Sequence, residues 1–343
     1  MLLSQQSVQA LQNKKNLLAF SAGADSTALF FLLMQNQITF DIAIVHYGLR
    51  SQADEEVAYA QKLADEYGLV CHLLKAEKIE KNFEYEARKL RYDFFETLIN
   101  EHAYNALLTA HHLQDRLEWM LMQLSKGAGT AELVGMKEKE IRADHILLRP
   151  LIEHSKDEIL EYLRKDQRHW FHDESNDDLS YKRNYFRHKV VNELLHDNLE
   201  GIKQSFKYLE EDVSELIKEV QINHAQELSL FFSSGHKRSD IFHIDKVLKA
   251  KGYILTAAQR QELKTQDEII AGRKFLVTLH QGIYYIAPYL NAIMDKAFKE
   301  ECRKLNIPAK LRPYLFTTPM AFILYTRFLP CSINPSEEAP YET

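Results

Sequence analysis

Four short apolar runs, at residues 16–20, 41–46, 69–74 and 106–110, are each followed by a segment of helical character. Residues 27–34 have the length and apolar content of a buried helix. Residues 53–67 set Val57, Ala60, Leu63 and Ala64 at helical spacing behind an acidic start, and residues 85–99 and 113–124 complete the series. Strand and helix in alternation predict an α/β fold, a doubly wound parallel sheet with helices on both faces and ligands at its carboxyl edge. The character changes near residue 190. Residues 190–220 are helical in pattern, with Leu194, Leu195, Leu199, Phe206, Leu209 and Leu216 as candidate core, and residues 274–288 alternate like strands around an internal Gly. The expected organisation is an α/β domain over 1–190, a helical linker region over 191–240 and a small C-terminal α+β domain over 241–330.

Composition narrows the class. A chain of 343 residues has room for two or three domains and for a core that needs no staples. Three cysteines at wide spacings, Cys71, Cys302 and Cys331, exclude a disulfide scaffold, a CxxC redox site and a four-Cys zinc site. The longest apolar stretches fall far short of the roughly 20 residues that span a bilayer. The first residues lack the pattern of a secretory leader, so a soluble, cytoplasmic protein without membrane attachment is expected. The net charge of −6 means that any nucleic acid must be held by a local basic patch.

The segment Ser21, Ala22, Gly23, Ala24, Asp25, Ser26 follows the first strand and opens a helix. Backbone N–H groups in such a turn make an anion pocket, the serines add hydroxyls, and Asp25 is placed to help hold Mg²⁺ beside phosphates. A plain strand-to-helix turn capped by Asp25 or Ser26 explains the same residues. Neither GxxxxGK[ST] nor GxGxxG is present here.

This segment looks like the SGGxDS loop of the ATP pyrophosphatase (PP-loop) superfamily, whose members adenylate a substrate and release pyrophosphate. Ala22 stands where that pattern has Gly, and a positive φ there would cost about 1 kcal/mol. Five further segments resemble the tRNA(Ile)-lysidine synthetase family within it. Residues 46–50 (HYGLR) are similar to HHGLR, 87–92 (ARKLRY) to ARxxRY, and 109–118 (TAHHLQDRLE) to TAHHxDDQAET. Residues 148–151 (LRPL) match an RPL element, and 173–176 (DESN) with 183–188 (RNYFRH) match D-x-SN…RNxxRH. The six matches run in the family's order over residues 17–190, and residues 252–263 and 272–290 resemble its C-terminal domain weakly.

The resemblance implies ATP-dependent ligation of free L-lysine to carbon 2 of the wobble cytidine of the CAU-anticodon isoleucine tRNA. Adenylated cytidine would be the intermediate, and lysidine, AMP and pyrophosphate the products. ATP, Mg²⁺, L-lysine and tRNA are the implied ligands, and a homodimer is left open. ATP and pyrophosphate fall to residues 21–26 with His46 and His111. Adjacent on a strand, His111 and His112 point to opposite sides, so one is expected to contact phosphate or base and the other to pack.

Asp115 and Glu118, one turn apart on a helix, are candidates to pair the lysine ammonium and to take its proton; an ordinary solvated acidic face is the plain alternative. Gln114 and Arg116 depart from the family's Asp and Gln. Arg91 is the candidate for the activated phosphate or the cytosine, and Arg88 is as well explained by a surface pair. The catalytic set is therefore Asp25, Arg91, Asp115 and Glu118. Lys182, Arg183, Arg187, His188 and Lys189, interleaved with Tyr181, Tyr185 and Phe186, form a candidate tRNA-contacting cluster, with a solvated helix face as the alternative. Arg303, Lys304, Lys310 and Arg312 form a second basic stretch. Rival readings are a tRNA thiolase, disfavoured by the cysteine spacing, and a non-catalytic tRNA- or nucleotide-binding module.

Overall fold

The computed structural model describes residues 1–48, 52–77, 79, 82–142, 144–172 and 182–328, with Lys182 and Arg183 described by backbone alone. Leu49 and Arg50 of the HYGLR segment, the DESN segment at 173–176, Tyr181 and Cys331 lie outside the described residues.

The chain divides into two compact units, Met1–Glu210 and Glu211–Thr343. Three segments with breaks at 190 and 240 were expected. The observed division falls instead inside one long helix, whose continuous apolar stripe marks no boundary in the sequence.

In the first unit, α1 (Gln5–Leu11) precedes β1 (Asn16–Ala19), and α2 (Ala24–Gln35) leads to β2 (Phe40–His46). Then come α3 (Gln52–Tyr67), β3 (Cys71–Lys75), α4 (Phe83–His102), β4 (Ala106–Leu108), α5 (Leu113–Leu124) and α6 (Thr130–Val134). The sheet is completed by β5 (Lys139–Ile141) and β6 (Ile146–Leu148), followed by α7 (Lys156–Lys165) and α8 (Lys182–Phe186). A π-helical turn, Arg187–Val191, joins α8 to α9 (Asn192–Leu216), which is kinked at Asn198.

The strand order is β3-β2-β1-β4-β6-β5. All pairings are parallel except that of the edge strand β5 with β6. Both faces are covered, as the alternation predicted. The α2 residues Ala28–Leu33 are buried throughout and pack on one face with residues of α1, α3 and α7, whereas Phe95, Leu98 and Ile99 of α4 pack on the other with Leu17 and Leu107. The chain leaves β1 toward β2 on one side and returns to β4 on the other. That reversal opens a crevice at the carboxyl ends of β1 and β4, where such sheets bind ligands.

The second unit holds β7 (Asn223–Ala225), β8 (Leu228–Phe232), α10 (Lys237–Ala250), α11 (Ala257–Thr265), β9 (Glu268–Ala271), β10 (Phe275–His280) and β11 (Ile283–Pro288). It ends with α12 (Lys296–Lys304), α13 (Arg312–Thr317) and α14 (Pro319–Arg327). Its antiparallel sheet, ordered β7-β8-β11-β10-β9, carries α10 and α11 on one face and α12, α13 and α14 on the other. The alternating stretch at 274–288 is the β10–β11 hairpin, turned by Gln281 and Gly282 at φ 50° and 79°. A two-residue turn with both φ positive matches the twist of a hairpin. No described helix is long and apolar enough to cross a membrane.

Candidate active site

The loop between β1 and α2 lies at the strand-order reversal. Ala22 has φ 58°, the left-handed backbone that disfavours an L side chain by about 1–2 kcal/mol. Its methyl is fully buried in the core, which returns about 0.8 kcal/mol, so Ala is tolerated. Gly23 is the helix N-cap, at φ −74°, so neither Asp25 nor Ser26 caps α2. The serines fix the turn: Ser21 N donates to Ser26 Oγ at 3.2 Å, the two hydroxyls are 3.1 Å apart, and Ser26 Oγ donates to Gly23 O at 3.2 Å. From behind, Phe171 N donates to Ala22 O at 3.0 Å.

Across the crevice, α5 starts beyond β4. His112 is its N-cap, and the His112 N–H donates to Asp115 Oδ2 at 3.0 Å. Asp115 and Glu118 are 6% and 3% exposed, so they do not form a solvated acidic face. Their common partner is Arg187, which donates from Nη2 to Asp115 Oδ1 at 2.7 Å and from Nε to Glu118 Oε2 at 3.1 Å. Arg187 was expected among RNA-facing cations. Two buried carboxylates one turn apart require a cation, and the guanidinium fork spans both. Within the same cluster Lys189 and Tyr185 are exposed, His188 is half-buried, and the Lys182 and Arg183 side chains lie outside the described residues.

The imidazole of His112 links the two sides. Its Nε2 lies 3.7 Å from Asp25 Oδ2 and 3.6 Å from Asp115 Oδ2. Of the histidine pair, it is thus His112, and not the proposed His111, that sits between loop and acids. His111 Nδ1 is 2.9 Å from Thr109 Oγ1. A further cation, Lys156, went unnoticed in the sequence. Its Nζ donates to Asp25 Oδ1 at 2.6 Å, and its backbone N–H donates to Gln114 Oε1 at 2.9 Å. One signal was readable: Ser155 and Glu158 form a capping box, which places Lys156 in the first turn of a helix after the RPL element. Burial pushes the Glu158 carboxyl up, but hydrogen bonds from Ser155 and Lys203 outweigh it and hold the group below its ordinary value.

The departures at 114 and 116 now have a structural account. Gln114, 5% exposed, ties the start of α5 to the start of α7. Arg116 points away from the acids. It pairs with Glu210 and covers the Phe206 ring at 4.1 Å, locking α5 to α9.

Other candidates stand apart. His46 Nε2 is 3.2 Å from Asp54 Oδ1. Arg91 is exposed on α4 near Tyr47, whose phenol burial pushes up while Arg91 opposes the shift. No contact joins Arg91 to the acids or the loop among the described hydrogen bonds and ion pairs, and Arg88 lies over the Tyr92 ring at 4.8 Å. In the second unit, Lys310 pairs with Glu268 at 2.7 Å and Arg312 donates to Ile307 O, so half of the second basic stretch serves local structure.

The crevice thus offers backbone donors and a lysine on one side, two buried acids with an arginine on the other, and an imidazole between. Such a site can hold a polyanion beside a cationic group. The PP-loop domain family matches residues 3–194. The tRNA(Ile)-lysidine synthase of Helicobacter pylori strain J99 is 43% identical over 312 residues, covering 90% of this chain and 91% of that protein. That of Wolinella succinogenes is 42% identical over 313 residues, covering 91% and 95%. Among solved structures, the U34-tRNA thiolase NcsA from Methanococcus maripaludis superposes with a TM-score of 0.53 at 16% identity, covering 72% of this chain and 85% of that one. At that identity the likeness speaks to the fold alone.

Proposed function

The chain belongs to the tRNA(Ile)-lysidine synthase family, with a PP-loop domain over residues 3–194, and from that premise we propose a residue-level account of its reaction. The chain is an ATP-using ligase that forms lysidine on tRNA(Ile). In the proposed reaction, the carbon-2 oxygen of the wobble cytidine in a CAU anticodon attacks the α-phosphorus of ATP, and pyrophosphate leaves. The ε-amine of free L-lysine then attacks carbon 2, and AMP departs with that oxygen. The observation that carries this reading is the placement of His112 Nε2 between Asp25 and Asp115, which sets a phosphate loop beside a pair of buried acids.

Residues 21–26 hold the pyrophosphate portion through backbone N–H groups and the α2 N-terminus. Asp115 and Glu118 take the lysine side chain, fix its direction and accept the proton lost on attack. Arg187 already occupies the acids as a cation, so the incoming ammonium shares or displaces its contacts. Arg91 is proposed to meet the activated phosphate or the cytosine, and His46 and His111 the ATP. Lys182, Arg183, His188 and Lys189 are proposed to meet the tRNA backbone, with Arg187 rooted among the acids.

Among the described residues no three His, Cys, Asp or Glu are grouped to hold a metal. Mg²⁺ travels with phosphates and is usually bound through only one or two carboxylates. Asp25, on the loop, is the carboxylate that would hold it. The ion would supply charge neutralisation on the departing pyrophosphate.

The test follows radiolabelled lysine into a CAU-anticodon isoleucine tRNA, with pyrophosphate measured in parallel. Label entering only when ATP and that tRNA are both present supports the reading. Pyrophosphate without lysine transfer would refute the lysine assignment, and silence in both channels would favour the non-catalytic binder.

A further inference from the structure

The phosphate loop carries no cation of its own: Ser21, Ala22, Gly23, Ala24, Asp25 and Ser26 contribute one negative charge and no positive one. A departing pyrophosphate would meet that charge at close range. The serine hydroxyls are already engaged in holding the turn. Beyond the charge that Mg²⁺ would carry in with the phosphates, any positive charge supplied by the protein has to come from elsewhere in the fold.

Lys156 stands at the right place. Its ammonium is 2.6 Å from Asp25 Oδ1, and its side chain is 35% exposed, so it reaches the crevice without being sealed in the core. Its backbone is fixed by Gln114 and by the Ser155 capping box. A lysine in the first turn is at the unfavourable end of the helix dipole, where an acid would serve α7 better. Its ion pair with Asp25 is half-exposed, and such pairs contribute at most about 1 kcal/mol, so a lysine at this position points to a functional demand.

We infer that Lys156 is the cation that contacts the pyrophosphate portion of ATP, released to it from Asp25 when the nucleotide enters. Asp25 holds the ammonium over the loop in the free enzyme. On binding, the ammonium turns to the β- and γ-phosphate oxygens and stays with pyrophosphate as it leaves. No bond to Lys156 forms or breaks. The inference rests on residues 21–26 being the phosphate site.

The test measures binding of inorganic pyrophosphate to the full chain by calorimetry in chelator-containing buffer, for wild type, Lys156→Ala, Lys156→Arg and Asp25→Asn. Loss of one charge-assisted contact weakens binding about tenfold or more in Lys156→Ala, and Lys156→Arg restores most of it. Asp25→Asn removes the repelling carboxylate and frees the ammonium, so it binds pyrophosphate more tightly than wild type. A merely structural ion pair would instead make the Lys156 and Asp25 variants change affinity in the same direction. In steady state, Lys156→Ala raises the KM for ATP while the KM values for lysine and tRNA stay within about twofold, since it removes binding to one substrate alone. Equal pyrophosphate affinity in wild type and Lys156→Ala, with both folded by circular dichroism, overturns the inference and leaves the phosphate-loop reading intact. Should Lys156→Ala fail to fold, Lys156→Met takes its place in the same comparison. A wild-type chain that neither binds pyrophosphate nor releases it from ATP overturns both.

Discussion

Replacing Glu210 by Ala is expected to destabilise the first unit more than replacing its partner, Arg116, by Met. Arg116 is 2% exposed, and its pair with Glu210 spans 94 residues of sequence. Burial pulls the guanidinium down from its ordinary value, and Glu210 opposes that shift. Truncating Glu210 strands this charge against Phe206, with a buried Nε–H that has no hydrogen-bond acceptor among the described residues. Breaking one side of a buried pair costs about 3–5 kcal/mol. Because the Glu210 side chain is 35% exposed, water reaches the pair, and about 2–3 kcal/mol is the appropriate range. Arg116→Met forfeits a charge-assisted bond and a cation–π contact, roughly 2–4 kcal/mol together. It also removes the desolvated charge and fills the space with an apolar chain, and Glu210 rehydrates, so the net loss stays near 1 kcal/mol. Urea unfolding and calorimetry on both variants and the double variant decide it. At about 2–4 °C per kcal/mol for a unit of this size, Glu210→Ala lowers Tm by about 5–10 °C. If Arg116→Met proves the more damaging variant, the pair is net stabilising and the desolvation argument fails.

Asp25→Ala is expected to abolish pyrophosphate release while leaving the fold intact by circular dichroism; full activity would remove the loop from the mechanism. Arg187→Met leaves two neighbouring carboxylates without their shared guanidinium and lowers stability by about 3 kcal/mol at neutral pH, read from urea unfolding. Ala22→Gly relieves a left-handed alanine but loses a buried methyl and loosens the unfolded chain, so the terms nearly cancel and Tm changes by less than about 3 °C. Burial holds His145 and His243 below their ordinary value of 6.5, with Glu96 opposing it at His145 and a hydrogen bond to Lys218 O opposing it at His243. Between the folded values and 6.5 the unfolded chain binds more protons, so stability falls as pH drops below about 6.5 and is complete above it. Thermal melts from pH 5 to 8 test this, and a His243→Gln variant that leaves the acid slope unchanged would refute the assignment for that residue.

The sequence by itself determined the α/β alternation, the loop at residues 21–26, the helix bearing Asp115 and Glu118, and the strand-like alternation at 274–288. Each is written in a local period or in turn chemistry spanning a few residues, which sets backbone geometry before any distant contact forms. The left-handed backbone at Ala22 was suggested only by the Gly of the SGGxDS pattern that the loop resembles, since alanine itself carries no such mark. The division near Glu210 was not readable, since a continuous apolar stripe on α9 carries no mark of where one core ends. Nor were the partnerships within the site. Asp25 meets Lys156 across 131 residues and Asp115 meets Arg187 across 72. Local spacing can place a carboxylate on a helix face, but it does not say which cation will neutralise it. Arg187 in the sequence is one member of a basic run. Only the packing of the π-helical turn against α5 brings it onto two buried acids, where leaving them unpaired would cost more than withdrawing one cation from the surface. Likewise the strand order brings the ends of β1 and β4 together, and with them Asp25, His112 and Asp115. The pieces of the site are local in the sequence; their proximity is a product of the sheet.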